Sequence, residues 1–264
     1  MERIILIITL IAVDIVLVPG QSLDQMINSP LRIPYDNGLK AYKSGEFEKA
    51  IEFYSEVVAK TDSSSSFELH MKKQALIYRS FCKKELKNYE GSIMDINRAI
   101  AIDPNDLASY IDRGTTYLGM GEFQKAREDF LKIIENDKKS VQAKGGYYYL
   151  GLIAFNESKI PEGIEYLTKA LDIDPNDINI LFNRGYYYGL TMQTEKAIKD
   201  YDKIIKLDPS IKEVYANRGT EKVNLYNRQD RKDNKLLTSA CKDLKKAKEL
   251  GDNSVGDLLF INCK

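Results

Sequence analysis

Apolar residues recur at three- and four-residue intervals along this chain, broken by short polar stretches. That spacing gathers them into one stripe of an α-helix and predicts amphipathic helices, an all-α fold. The breaks have a signature. Ala101–Asp106 reads AIDPND, Asp172–Asp177 reads DIDPND and Lys206–Ile211 reads KLDPSI. Pro175 and Pro209 are 34 residues apart, and Pro104 and Pro175 are 71 apart, two periods plus three. Each proline lacks an N–H and disfavours helical geometry in the aspartate before it, so a helix stops there. Asn105 or Asp106 can then cap the next helix by accepting its free N–H groups.

The residues between the breaks repeat as well. Tyr110, Gly114 and Tyr117 are followed by Gly121, Phe123, Ala126 and Phe130. Tyr147, Gly151, Ala154, Gly163, Leu167 and Ala170 form the next set, and Leu181, Gly185, Tyr188, Ala197 and Tyr201 another. GEFEKAIEFY (Gly45–Tyr54), NYEGSIMDINRAIAIDP (Asn88–Pro104) and YANRGTEKV (Tyr215–Val223) supply parts of three more. Small residues let two antiparallel helices approach, and large ones a turn away fill the space left. From the third unit to the sixth the register shifts are 37, 34 and 34 residues.

This pattern resembles the tetratricopeptide repeat, a helix–turn–helix unit of 34 residues, of the exported bacterial type. The resemblance covers residues 34–250. It implies a right-handed superhelical solenoid of about six hairpins, closed by a C-terminal capping helix over residues 251–264. Two insertions interrupt the register: Thr61–Phe67, a serine-rich loop, and Tyr226–Leu236, which lengthens the turn inside the sixth unit. Leu258, Leu259 and Ile261 are expected to cover the last apolar face. Cys241 and Cys263 lie symmetrically about Gly251-Asp252, which permits a disulfide in an oxidising compartment. Two buried thiols are the other reading.

First helices of the family line a concave groove. Its positions map here to Ile77, Phe81, Asp112, Thr115, Tyr148, Leu152, Phe155, Phe182, Asn183, Tyr186, Asn217 and Thr220. Aromatics with a polar tip suit peptide binding, and Asn side chains can hold an extended backbone. Tyr147 and Tyr149 are expected to pack instead. Members that bind chaperone tails hold a terminal carboxylate with Lys and Asn pairs. Asn183 and Asn217 match that set in part, and its Lys positions are not filled. Asp112-Arg113-Gly114, Asn183-Arg184-Gly185 and Asn217-Arg218-Gly219 also repeat. Their arginines suggest structural ion pairs, Asp95 with Arg113 and Asp200 with Arg218, with Asp200 also within reach of Arg184. The alternative is an acidic-peptide site.

Charge narrows the function classes. The 264 residues hold 39 basic and 39 acidic side chains, so a nucleic-acid surface with its clustered basic excess is not expected. One histidine, His70, rules out a multi-histidine metal site. Cys82 lacks a nucleophile signature. Gly119-Met120-Gly121 has no strand before it and fails as a dinucleotide motif. No phosphate-binding loop or calcium-loop spacing occurs. The expectation is no enzyme, no cofactor and no metal.

The first residues, MERIILIITLIAVDIVLVPG, have the layout of a signal peptide over residues 1–20, with residues 21–33 as an N-terminal extension. Export to a periplasmic or extracellular space follows, with an uncleaved membrane anchor as the alternative. The sequence thus predicts a non-enzymatic scaffold that binds a protein or peptide in its groove. A structural or self-assembling component of a cell-envelope complex is the second reading.

Overall fold

The computed structural model describes residues 29–61, 65–229 and 233–263. The expected signal peptide, and the expected extension up to residue 28, lie outside the described residues. Among the described residues there are thirteen α-helices, one short 3-10 turn and no strand. Twelve helices pair into six hairpins: α1 (Arg32–Lys43) with α2 (Phe47–Lys60), α3 (Ser66–Glu85) with α4 (Tyr89–Ile102), α5 (Leu107–Gly119) with α6 (Phe123–Asn136), α7 (Val141–Asn156) with α8 (Ile160–Ile173), α9 (Ile178–Leu190) with α10 (Thr194–Leu207), and α11 (Lys212–Arg228) with α12 (Asn234–Glu249). A 3-10 turn (Asn253–Val255) and α13 (Gly256–Asn262) close the chain. The first hairpin starts at Arg32, which puts Pro34 in a first turn, where its missing N–H has no partner to lose. The chain divides into two compact units, one up to Ser109 and one from Tyr110.

The Asp-Pro breaks act as stops. Asp103, Asp174 and Asp208 have extended backbones, with φ of −140°, −132° and −144°. The start signal is the second aspartate and not the asparagine: Asp177 accepts from the N–H groups of Asn179 and Ile180, and Asp106 from that of Ala108. A lysine ties each double-Asp turn to its own hairpin. Lys73 Nζ lies 2.9 Å from Asp103 and 3.2 Å from Asp106, and Lys144 Nζ lies 2.9 Å from both Asp174 and Asp177. Leu107 and Ile178 hold the lysine's place in the third and fifth hairpins, and there the second aspartate gives way to Ser140 and Ile211. Cation and second carboxylate come and go together, as charge balance requires.

Turns within five hairpins share one device. Gly45, Lys87, Gly121, Ser158 and Met192 sit at its centre, all with φ between 58° and 76°. Only glycine takes this left-handed conformation without cost, so Lys87, Ser158 and Met192 are held there against their preference.

The core of each hairpin is one small residue facing one large one. A Cβ added at Gly38, Gly114, Gly151, Gly185 or Gly219 would meet Tyr54, Phe130, Leu167, Tyr201 or Leu244 at 2.7–3.0 Å. Ser80 and Ile96, both buried, hold these positions in the second hairpin. The close approach explains why the small residue recurs.

The residue before the small one is an arginine in four hairpins, and its partner lies in its own hairpin. Arg79 Nη2 is 2.5 Å from Asp95, Arg113 Nη2 2.6 Å from Asp129, Arg184 Nη2 2.7 Å from Asp200 and Arg218 Nη2 2.5 Å from Asp243. The expected pair of Asp200 with Arg218 does not form; Asp200 meets Arg184, the other partner within its reach. The Arg and Asp positions sit side by side with the packed small and large positions, so hairpin closure sets both contacts at once. Arg218 also reaches back to the preceding hairpin, but to Asp202, two residues beyond the expected acid. In the fourth hairpin Leu150 and Tyr166 replace the ion pair.

Both insertions are shorter as loops than expected. Ser65 caps α3, accepting from the N–H of Glu68, so Ser66 and Phe67 are helical and Phe67 is buried. Tyr226–Arg228 extend α11 and Asn234–Leu236 begin α12, capped by Asp233. At the C-terminus, Val255 joins the core formed by Tyr215, Val223, Ala240, Leu244 and Ala247, and Leu258 and Leu259 pack against it. Ile261 does not cover that face: it is 69% exposed, because the short α13 turns it outward beside Phe260. Cys241 and Cys263 are joined by a disulfide.

Candidate functional site

In the second unit the first helices α5, α7, α9 and α11 lie next to one another in that order. Gly145 on α7 approaches Ile111 on α5. The Tyr148 hydroxyl on α7 accepts from Asn183 Nδ2 on α9 at 3.4 Å. Phe155 on α7 stacks on Tyr187 of α9, with centroids 4.9 Å apart. Ten of the twelve groove candidates belong to this unit: Asp112 and Thr115, Tyr148, Leu152 and Phe155, Phe182, Asn183 and Tyr186, Asn217 and Thr220. Ile77 and Phe81 are on α3 in the first unit. There Ile77 packs against that unit's core, and Phe81 meets Tyr78 edge-on with Lys84 over its ring.

These side chains divide by what they already touch. Phe155 and Phe182 are half-buried, one stacked on Tyr187 and one edge-on to Tyr201. Tyr147 is buried beside Tyr166, and Tyr149 stacks on Phe130 at 5.0 Å, so both pack as expected. Tyr186 is the open one, 43% exposed, with its ring 6.1 Å from Phe155. Leu190, one turn on, is 46% exposed. Tyr186 and Leu190 make an apolar step on α9 flanked by Phe155.

The polar candidates are less open than the sequence suggests. Asn183 Nδ2 donates to its own helix at Asn179 O, 2.9 Å, as well as to Tyr148. Asn217 lies near the Tyr201 hydroxyl. The hydroxyls of Thr115 and Thr220 donate to carbonyls of their own helices, Asp112 O and Ala216 O. Asn183 therefore braces α9 against α7.

Glu221 is not among the positions the register points to. It lies one turn beyond Asn217, and its Oε1 would be 2.6 Å from a Cβ on Gly189 of α9. Its Oε2 is buried and accepts no hydrogen bond. Burial raises the Tyr201 hydroxyl well above the usual phenol range; the Glu221 carboxylate adds to this and the Asn217 side chain opposes it. Nothing in the sequence marks Glu221, since an acid on a helix is ordinarily solvated.

Cys82 and His70 are shaped by burial. Burial pushes the Cys82 thiol up to about 11, which keeps it protonated and unreactive. Burial lowers His70, and the neighbouring Lys73 adds to the effect. Among the described residues no group of His, Cys, Asp and Glu could hold a metal ion, and no helix is long and apolar enough to cross a membrane.

Family models described as tetratricopeptide repeat match residues 111–178 and 166–199. The chain is similar to Hsp70-Hsp90 organizing protein 3 of Arabidopsis thaliana, 26% identical over 216 residues; the match takes in 69% of this chain and 37% of that protein. The C-terminal part of a repeat protein from Cytophaga hutchinsonii superposes with a TM-score of 0.67 at 19% identity, covering 86% of this chain and 84% of that one. YrrB, described as a repeat protein with an unusual peptide-binding site, superposes with a TM-score of 0.55 at 16% identity, covering 71% of this chain and 90% of its own. The matched residues carry the third to fifth hairpins, and the hairpins on either side repeat the same small-on-large contact. Residues 111–199 are built of tetratricopeptide repeats.

Proposed function

We propose that this chain is a non-enzymatic scaffold that holds a protein or peptide partner against the first-helix face of its second unit. The observation that carries this reading is the open apolar step of Tyr186 and Leu190 on α9, backed by Phe155 and Tyr187. Rigid aromatic anchors on a packed scaffold are what a binding hot spot needs. The peptide-binding site of YrrB and the chaperone-organizing role in the name of the Arabidopsis relative point the same way. We further read residues 1–20 as a signal peptide directing export. The Cys241–Cys263 disulfide suits an oxidising compartment.

The test is crosslinking of the tagged full chain in its native compartment, with mass spectrometry of the captured partners. Tyr186→Ala with Asn217→Ala is expected to lose them while the helical circular dichroism holds. Unchanged capture by that variant refutes the face. A tag retained in the cytoplasm refutes export. A second reading, self-assembly, is favoured by Phe260 and Ile261, 74% and 69% exposed side by side on the terminal helix. Sedimentation velocity across a concentration series decides it: reversible association lost in Phe260→Ser supports self-assembly, and a monomer throughout rejects it.

A further inference from the structure

Glu221 has no internal reason to be where it is. Its Oε2 is buried and accepts no hydrogen bond, a costly state for a carboxylate unless a donor completes it. The neighbouring helix makes room for it: a Cβ at Gly189 would lie 2.6 Å from Oε1 and push the carboxylate aside. Glu221, Asn217 and Tyr186 all act on the Tyr201 hydroxyl, and Gly189, against Glu221, is three residues on from Tyr186 along α9.

Every cation on the flanking first helices is engaged elsewhere. Lys144 of α7 holds Asp174 and Asp177. Arg184 of α9 holds Asp200 and Thr168. On α11, Arg218 holds Asp243 and Asp202, Lys222 holds Asp243 and Ser239, and Arg228 donates to Met192 O and Thr194 Oγ1. Lys212, at the start of α11, lies by Asp252. Lys196, at the start of α10, donates to Gln193. Among the described residues no positive charge of these helices is paired to the carboxylate.

We propose that Glu221, with the face of the Tyr186 ring, forms a subsite for one cationic side chain, lysine or arginine, of the bound peptide. The ammonium or guanidinium donates to the Glu221 carboxylate and lies against Tyr186 in a cation–π contact. This rests on the first-helix face being the binding surface, and it reverses the charge preference of a site that holds an acidic tail.

The probe is a random dodecapeptide library displayed against the full chain, the Glu221→Gln variant and the Gly189→Ala variant. The wild type is expected to select peptides with a basic residue at one fixed position. Exchanging that residue for norleucine should weaken binding about tenfold to a hundredfold, the worth of a hydrogen bond to a charged group. Glu221→Gln is expected to lose the basic position and keep the rest of the motif, and Gly189→Ala to weaken it by displacing the carboxylate. Peptides that need Tyr186 yet show no basic preference, or show the same preference on Glu221→Gln, overturn the subsite and leave the face standing. Selected peptides indifferent to Tyr186→Ala, or no selection at all, overturn both.

Discussion

Removing the Asp200 carboxylate isolates the contact that closes the fifth hairpin. Asp200 is 5% exposed and takes two parallel hydrogen bonds from Arg184, at 2.8 Å to Nε and 2.7 Å to Nη2. Asp200→Ala leaves the guanidinium with only Thr168, at 3.3 Å. Stranding one partner of a buried pair costs about 3–5 kcal/mol. The Arg184 side chain keeps 18% exposure, which argues for the lower end, about 3 kcal/mol. In a unit of this size that lowers the melting temperature by about 6–12 °C. The chain contains its own control, because Leu150 and Tyr166 occupy the same positions in the fourth hairpin. Arg184→Leu with Asp200→Tyr is therefore expected to recover stability to within about 1.5 kcal/mol of wild type, a well-packed apolar pair replacing a buried ionic one. The assay is urea unfolding followed by circular dichroism, with the slope compared among variants to check that the same surface unfolds. A loss below about 1 kcal/mol for Asp200→Ala, or a double variant no better than the single, refutes the claim that the pair acts as one exchangeable unit.

Four further outcomes follow. Gly114→Ala puts a Cβ 2.7 Å from the Phe130 ring and is expected to cost about 1–3 kcal/mol in urea unfolding. Met192 is 75% exposed at φ 58°, so Met192→Gly removes backbone strain without losing packing and is expected to raise stability by up to about 1 kcal/mol by the same measurement. The disulfide closes a sequence separation of 22 residues, so Cys263→Ser is expected to cost roughly 3 kcal/mol, seen as a lower melting temperature without reductant and no difference with it. Hydrogen bonds from Lys73 and Lys144 hold the Asp103 and Asp174 carboxyls below the usual range. A depressed folded pKa gives stability that is present above the unfolded value, about 4, and is lost as pH falls through the folded one. The stability gap between wild type and Lys144→Gln is therefore expected to shrink from pH 6 to pH 3; a constant gap contradicts the pairing.

What the residues disclose follows from how local the physics is. Gly114 over Phe130 and Gly185 over Tyr201 are written at one separation and read directly, as are the Asp-Pro stops. Arg113 and Arg184 announce ion pairs, but not with which acid. Period alone places an acid of the preceding hairpin and one of the same hairpin equally near, and only the packing of the two helices decides. Tyr226–Arg228 and Asn234–Leu236 look like loop by charge and fold as helix, the latter begun by the Asp233 cap of α12. Ile261 looks apolar enough to cap, yet a seven-residue helix presents only one face, and Leu258 and Leu259 take it. The groove positions on α7 and α9 are legible from the register. That Asn183 braces its neighbour, and that Glu221 accepts no hydrogen bond at Oε2, depends on side-chain reach across helices, which no spacing encodes.

Amide hydrogen exchange on the full chain, with and without a peptide selected from the display library, tests the central claim most directly. Added protection is expected in α7, α9 and α11, centred on Phe155, Tyr186 and Asn217, with α8, α10 and α12 unchanged. Protection confined to the second helices contradicts a partner seated on the first-helix face.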